Sequence, residues 1–189
     1  MANVDRPHGF TPLKHITGAP YNGQANIYNI ASDYGTAIGV GDIVKLAGSA
    51  DARGIPTIAK AGATDLPLGV VVGRTPNQSN LSQTYVPATT GGYVMVCDDP
   101  DIIMIAQEDG TLTAADIGLN TKPTVTGVDT TTGISTEELD YSEAGTTNTL
   151  MLKITRLYDI EDNAIGANAE CECRFNVHAL RLETGAAAT

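Results

Sequence analysis

No stretch of this chain sustains helical periodicity beyond about one turn. Short apolar runs instead alternate with clusters of Gly, Pro, Asn and Asp. Leu68-Gly69-Val70-Val71-Val72-Gly73 is β-branched, bounded by turn residues, and reads as a buried strand. Tyr93-Val94-Met95-Val96-Cys97 and Ile102-Ile103-Met104-Ile105 flank Asp98-Asp99-Pro100-Asp101 and suit strands covered on both faces. Ala25–Ile30 is a further strand. Ile43-Val44-Lys45-Leu46 follows the Gly41-Asp42 turn and pairs with Ile55–Ala59 across residues 48–51.

The last third alternates with period two. Leu150, Leu152 and Ile154 share one face; Met151, Lys153 and Thr155 share the other. Cys171, Cys173, Phe175 and Val177 lie opposite Glu170, Glu172, Arg174, Asn176 and His178. Thr113-Ala114-Ala115-Asp116 resembles a capping box, but Gly118 stops it, and Ser135–Asp140 has Thr-rich flanks that favour an extended form. Gly127–Gly133 reads as a flexible hairpin tip. The expected fold is mainly β, a compact β-barrel or β-sandwich with little helix.

Both ends read differently. Residues 1–23 hold Pro7, Pro12 and Pro20 with Gly9, Gly18 and Gly23 between them, so an extended N-terminal arm is expected. Residues 24–183 form the β-rich core, either one domain or two β subdomains split near 110–120. Residues 184–189 form a flexible Gly/Ala-rich tail.

Charge narrows the partners. The 189 residues carry a net charge of −11, and their cations are scattered singly, which disfavours nucleic acid and anionic membranes. No apolar stretch reaches the length of a membrane span, and Asp5, Arg6 and Pro7 stand where a signal peptide needs an apolar run. Three cysteines fit free thiols in a reducing cytosol. Trp is absent and there are only two Phe and seven Tyr, so the core is built from small side chains that bury little area each. Neighbouring subunits are expected to supply part of the stability.

Catalytic chemistry finds no foothold. His8, His15 and His178 have no nucleophile beside them in a recognisable turn, and no Gly-x-Ser-x-Gly is present. Cys171 and Cys173 lack the two-residue gap of zinc knuckles and read as buried hydrophobes. Asp98–Asp101, with Glu108 and Asp109, is an acidic cluster that reads as a solvated turn. Asp159, Glu161, Asn163 and Glu170 follow a calcium-loop spacing, but Ala164 stands where the turn needs Gly, so a weak cation site there is left open. No catalytic residue, metal or cofactor is expected.

Several segments, taken in order, resemble the decoration or cement proteins of tailed-bacteriophage heads. They begin with Ala2-Asn3, Arg6-Pro7 and Gly9-Phe10, then residues 41–51 (Gly41-Asp42-Ile43-Val44-Lys45-Leu46 onward) and Leu68–Gly73. Tyr93-Val94, Cys97–Asp101, Gln107–Gly110, Ala115–Asn120 and Glu138–Asp140 follow. The series closes with Asp162–Ala169 and Asn176-Val177-His178, and it covers nearly the whole chain. The resemblance implies a viral structural protein made in the bacterial host cytoplasm and carried on the outer surface of the virion. It implies binding to the major capsid protein where shell subunits meet, and self-association as a homotrimer, with trimer against dimer left open. The alternative is a phage tail or head–tail connector subunit, in which residues 127–133 form an inter-ring hairpin. The arm is the expected docking element, through Arg6, Phe10, Leu13, Ile16 and Tyr21, by adding a strand to a capsid edge.

Overall fold

The computed structural model describes residues 3–181; the tail at 184–189 lies outside them. Among these residues are ten strands in two five-stranded sheets, and the one helical element is a single 3-10 turn, Tyr141–Glu143. The mainly β expectation holds.

The first sheet has the order β1-β7-β10-β9-β8, with every pair antiparallel. Its strands are β1 (Thr11–His15), β7 (Ile102–Gln107), β8 (Asn120–Thr121), β9 (Leu152–Leu157) and β10 (Glu170–Phe175). The second is built from β2 (Asn26–Ile30), β3 (Ile43–Ala50), β4 (Pro56–Lys60), β5 (Gly69–Arg74) and β6 (Gly92–Cys97). Its pairings run β2-β4-β3-β5-β6 and return from β6 to β2. The one parallel contact, β2 with β4, rests on the pair Asn29 and Thr57.

One end of each of three strands is covered on both faces because it serves two cores. On β3, β5 and β6, Ile43, Val70 and Cys97 point into a cluster with Ile102, Met104, Leu152, Cys171, Cys173 and Phe175. Their chain neighbours Val44, Val71 and Val96 point the opposite way, into a cluster with Tyr28, Ile30, Ile58 and Leu68. This is why the sequence there is continuously apolar rather than alternating. Each such side chain contributes roughly 1.5–3 kcal/mol when fully buried.

The N-terminal segment is not an extended arm. Residues 11–15 are the edge strand β1, paired with β7 through a register slip between Pro12 and Lys14. Proline lacks a ladder donor, and an edge strand is where that is tolerated. Phe10 is 1% exposed in the first core, and its backbone N–H donates to the Gly41 carbonyl at 2.9 Å. Gly9 takes φ +69°, and a Cβ there would strike Ser135 and the Gly41 carbonyl. Asn3 donates through Nδ2 to the carbonyls of Ala164 and Ala167 and accepts from the Ala164 N–H. One buried aromatic ring and a close backbone approach outweigh the Pro/Gly composition.

Candidate functional site

The five residues expected to dock do not form one face. Phe10 is core. Tyr21 is half-buried against the same core, with its hydroxyl donating to the Gln24 carbonyl. Leu13 is half-buried, while Arg6 and Ile16 are exposed, Ile16 to 48%. Strand addition at β1 is also obstructed. Residues 16–21 fold back so that the His15 N–H donates to Ala19 and the Leu13 carbonyl accepts from Tyr21.

An exposed apolar pair held by adjacent strands lies on the second sheet. Ile27 on β2 and Met95 on β6 are direct cross-strand partners on the outer side of the second sheet, 54% and 38% exposed. Gly73 on β5 pairs with Met95 in turn, and the Met95 methyl lies over it. The parity of β2 and β6 carries this signal, because Tyr28, Ile30, Val94 and Val96 fill the interior and leave Ile27 and Met95 outside.

The acidic turn 98–101 is divided among separate partners. Asp98 accepts from the Asn26 amide and the Tyr28 hydroxyl, and Asp99 lies 2.6 Å from His15 Nδ1. Asp101 pairs with Arg181 at 2.6 Å. These carboxylates stitch the β6–β7 turn to β1, β2 and the C-terminal segment, so the turn is more engaged than a merely solvated one. At the calcium-like spacing, Asn163 bridges Tyr158 and Glu170 by hydrogen bonds, while Asp159 and Glu161 are exposed. Among the described residues no group of three His, Cys, Asp or Glu side chains is arranged to hold a metal ion.

Cys171, Cys173, Phe175 and Val177 share one buried face. Glu172, on the opposite face, is buried too, and pairs with Lys14 and Arg156, each at 2.8 Å. Burial raises the Cys171 thiol to about 12, which leaves it protonated and unreactive. His178 is buried edge-on to Phe175, and burial lowers its pKa. The 127–133 loop is pinned rather than free. Asp129 and Gly133 close a turn, and the Gly133 carbonyl accepts from Val40 N–H at 3.0 Å.

Two groups of ionisable residues depart from the sequence expectation, which put Glu108 in a solvated acidic cluster and did not bring Lys60, Asp42 and Glu137 together. In the first, Lys60 Nζ lies 2.7 Å from Asp42 Oδ1, 2.6 Å from the Thr126 carbonyl and 3.3 Å from Glu137 Oε1. All three side chains are buried. Asp42 Oδ2 accepts from the Gly39 N–H at 2.8 Å, and Glu137 Oε2 from the Ile43 N–H at 3.1 Å. Gly39 has no side chain because a Cβ there would strike Val128 and the Gly133 carbonyl. Burial raises Glu137 to about 8, with Lys60 opposing it and Asp42 adding to it. In the second group, Glu108 is wholly buried, and neither carboxylate oxygen has a hydrogen-bond partner. Burial raises it to about 7, helped by Asp116 and Asp109. Glu138 is likewise raised to about 7, by burial and then by Asp5 and Asp109.

Comparison with protein-family models and with curated proteins finds no match to this chain.

Proposed function

We propose that this chain is a capsid decoration protein. It binds the outer surface of an icosahedral phage head where major capsid protein subunits meet, and it stabilises the shell. The observation that carries the reading is the paired, exposed Ile27 and Met95 on a rigid strand wall. A decoration protein needs apolar area held in fixed geometry, so that contact with the shell buries it without first ordering a loop. Burying each of these side chains completely would contribute roughly 1.5–3 kcal/mol, repeated at every junction on the head. The family resemblance of the ordered segments supports the same reading. So does the net charge of −11, which disfavours a position against packaged DNA.

In this reading the second sheet acts as a closed barrel that presents its outer wall to the shell. The first sheet, with the N-terminal strand built into it, packs against that barrel through Ile43, Val70 and Cys97. The assembled form is a homotrimer at the junction, with no nucleic acid and no membrane among its partners, and its role is structural rather than enzymatic.

The test is binding of the purified chain to heads that lack it. Wild type should saturate a fixed number of sites, and an Ile27→Asp/Met95→Asp double variant should fail to bind while melting at the wild-type temperature. Saturation by the double variant would refute the surface. Failure of the wild type to bind would refute the function.

A further inference from the structure

We propose that Lys60 and Asp42 condense to form an intramolecular amide cross-link, with Glu137 carrying the protons. The inference is independent of the capsid reading. It rests on three ionisable side chains buried together with their reactive atoms in contact. Lys60 Nζ is 2.7 Å from Asp42 Oδ1, and the two residues sit on neighbouring positions of β4 and the start of β3. Strand pairing of Val44 with Lys60 fixes that approach, so no loop has to close for the groups to meet.

Desolvation opposes the Lys60 ammonium, while the Glu137 and Asp42 carboxyls outweigh it and hold the amine protonated, so proton transfer to Asp42 is the uphill step that condensation must pass. With Glu137 protonated, Lys60 and Asp42 remain as two buried ions, and desolvating each of them is unfavourable. An amide replaces the ammonium and one carboxylate with a single neutral group. Glu137 is the one neighbour free to move protons. Its Oε2 is held by the Ile43 N–H, while Oε1 faces Nζ at 3.3 Å without a hydrogen bond of its own. Its raised pKa keeps it protonated near neutrality, so it can give a proton as readily as it takes one.

The step balances within the triad. The ammonium of Lys60 first passes one proton to the Asp42 carboxylate, giving a free amine and a carboxylic acid. Nζ then attacks Cγ, forming the N–C bond, and charge developing on Oδ2 is met by the Gly39 N–H already 2.8 Å away. Glu137 delivers its proton to Oδ1 and recovers one from the nitrogen. The Cγ–Oδ1 bond breaks and Oδ1 leaves as water. One ammonium and one carboxylate become one amide and one water, Glu137 ends as it began, and no oxidant or outside reactant is needed. The three side chains are almost wholly covered by protein, which limits access of bulk water to the amide once it has formed.

The experiment is the intact mass of the folded full-length chain, measured after denaturation, followed by peptide mapping. The wild type should be lighter than its sequence by one water, and a branched peptide should join the segments containing Asp42 and Lys60. Glu137→Gln should retain most of its chains at full mass under conditions in which the wild type has condensed. Lys60→Ala should have full mass even if it folds poorly. Full mass in the folded wild type would overturn the proposal. A water loss that persists in Lys60→Ala would also overturn it, since dehydration at Asp109-Gly110 would then be the source.

Discussion

Glu108 is a carboxylic acid buried with no partner for either oxygen, and replacing it with glutamine isolates what that costs. Its pKa is about 7 in the folded protein against 4.5 in a free side chain. A raised carboxyl binds its proton more tightly in the folded state, so the stability it confers is complete below pH 4.5. That stability declines as pH rises and is lost above about pH 7. The shift of about 2.5 units, at about 1.4 kcal/mol each, makes the loss about 3 kcal/mol. Glu108→Gln has no proton to lose. Its buried amide costs about 1–3 kcal/mol, but equally at every pH. The assay is urea unfolding of both proteins from about pH 4.5 to pH 8. The gap between wild type and variant should move by about 3 kcal/mol in the variant's favour across that range. Glu137 and Glu138 titrate in the same window but are common to both proteins, so their slopes cancel in the difference. Parallel curves would refute the reasoning, because Glu108 would then be ionised and solvated when folded.

Other expectations follow from the same packing. Phe10→Ala should cost about 3–5 kcal/mol in chemical denaturation, as for a buried aromatic, and removal of residues 1–23 should unfold the first sheet rather than leave an intact core. Lys60→Met leaves the Asp42 carboxyl buried without the nitrogen it contacts and should cost about 3–5 kcal/mol by urea unfolding. Gly69→Ala should impair folding, seen as loss of soluble protein, because the new methyl would drive into the Cys97 carbonyl across the β5–β6 ladder.

Strands that lie between two cores were the most legible part of the sequence. Val70-Val71-Val72 is apolar at every position because Val70 and Val71 enter different cores; on β7, Ile102 and Met104 enter the first core alone, while Ile103 and Ile105 lie on the other face, buried and half-buried. The pairing of β3 with β4 was legible but its turn was not: residues 48–50, read as turn, belong to β3, and the connection is residues 51–55. The N-terminus read wrongly because composition is local and burial is not. Three prolines and three glycines describe an extended segment, yet Phe10 enters the first core, Tyr21 packs against it, and β1 exists because β7 offers it an edge. The buried triad was illegible for a related reason. Lys60 stands between Ala59 and Ala61 like a surface lysine, Asp42 follows Gly41 like a turn residue, and Glu137 lies in a polar run. Only the pairing of β3 with β4 and the return of the 123–140 segment bring them together. Glu172 looked solvent-facing by alternation, and it is covered because Lys14 and Arg156 reach over it from β1 and β9.

The most direct test of the proposed decoration role is the copy number of this chain in purified tailed-phage virions from the source of its gene, measured by quantitative mass spectrometry against the major capsid protein. A decoration protein should be present at a number comparable to that of the major capsid protein. A number comparable to tail components, or absence from virions, would contradict it.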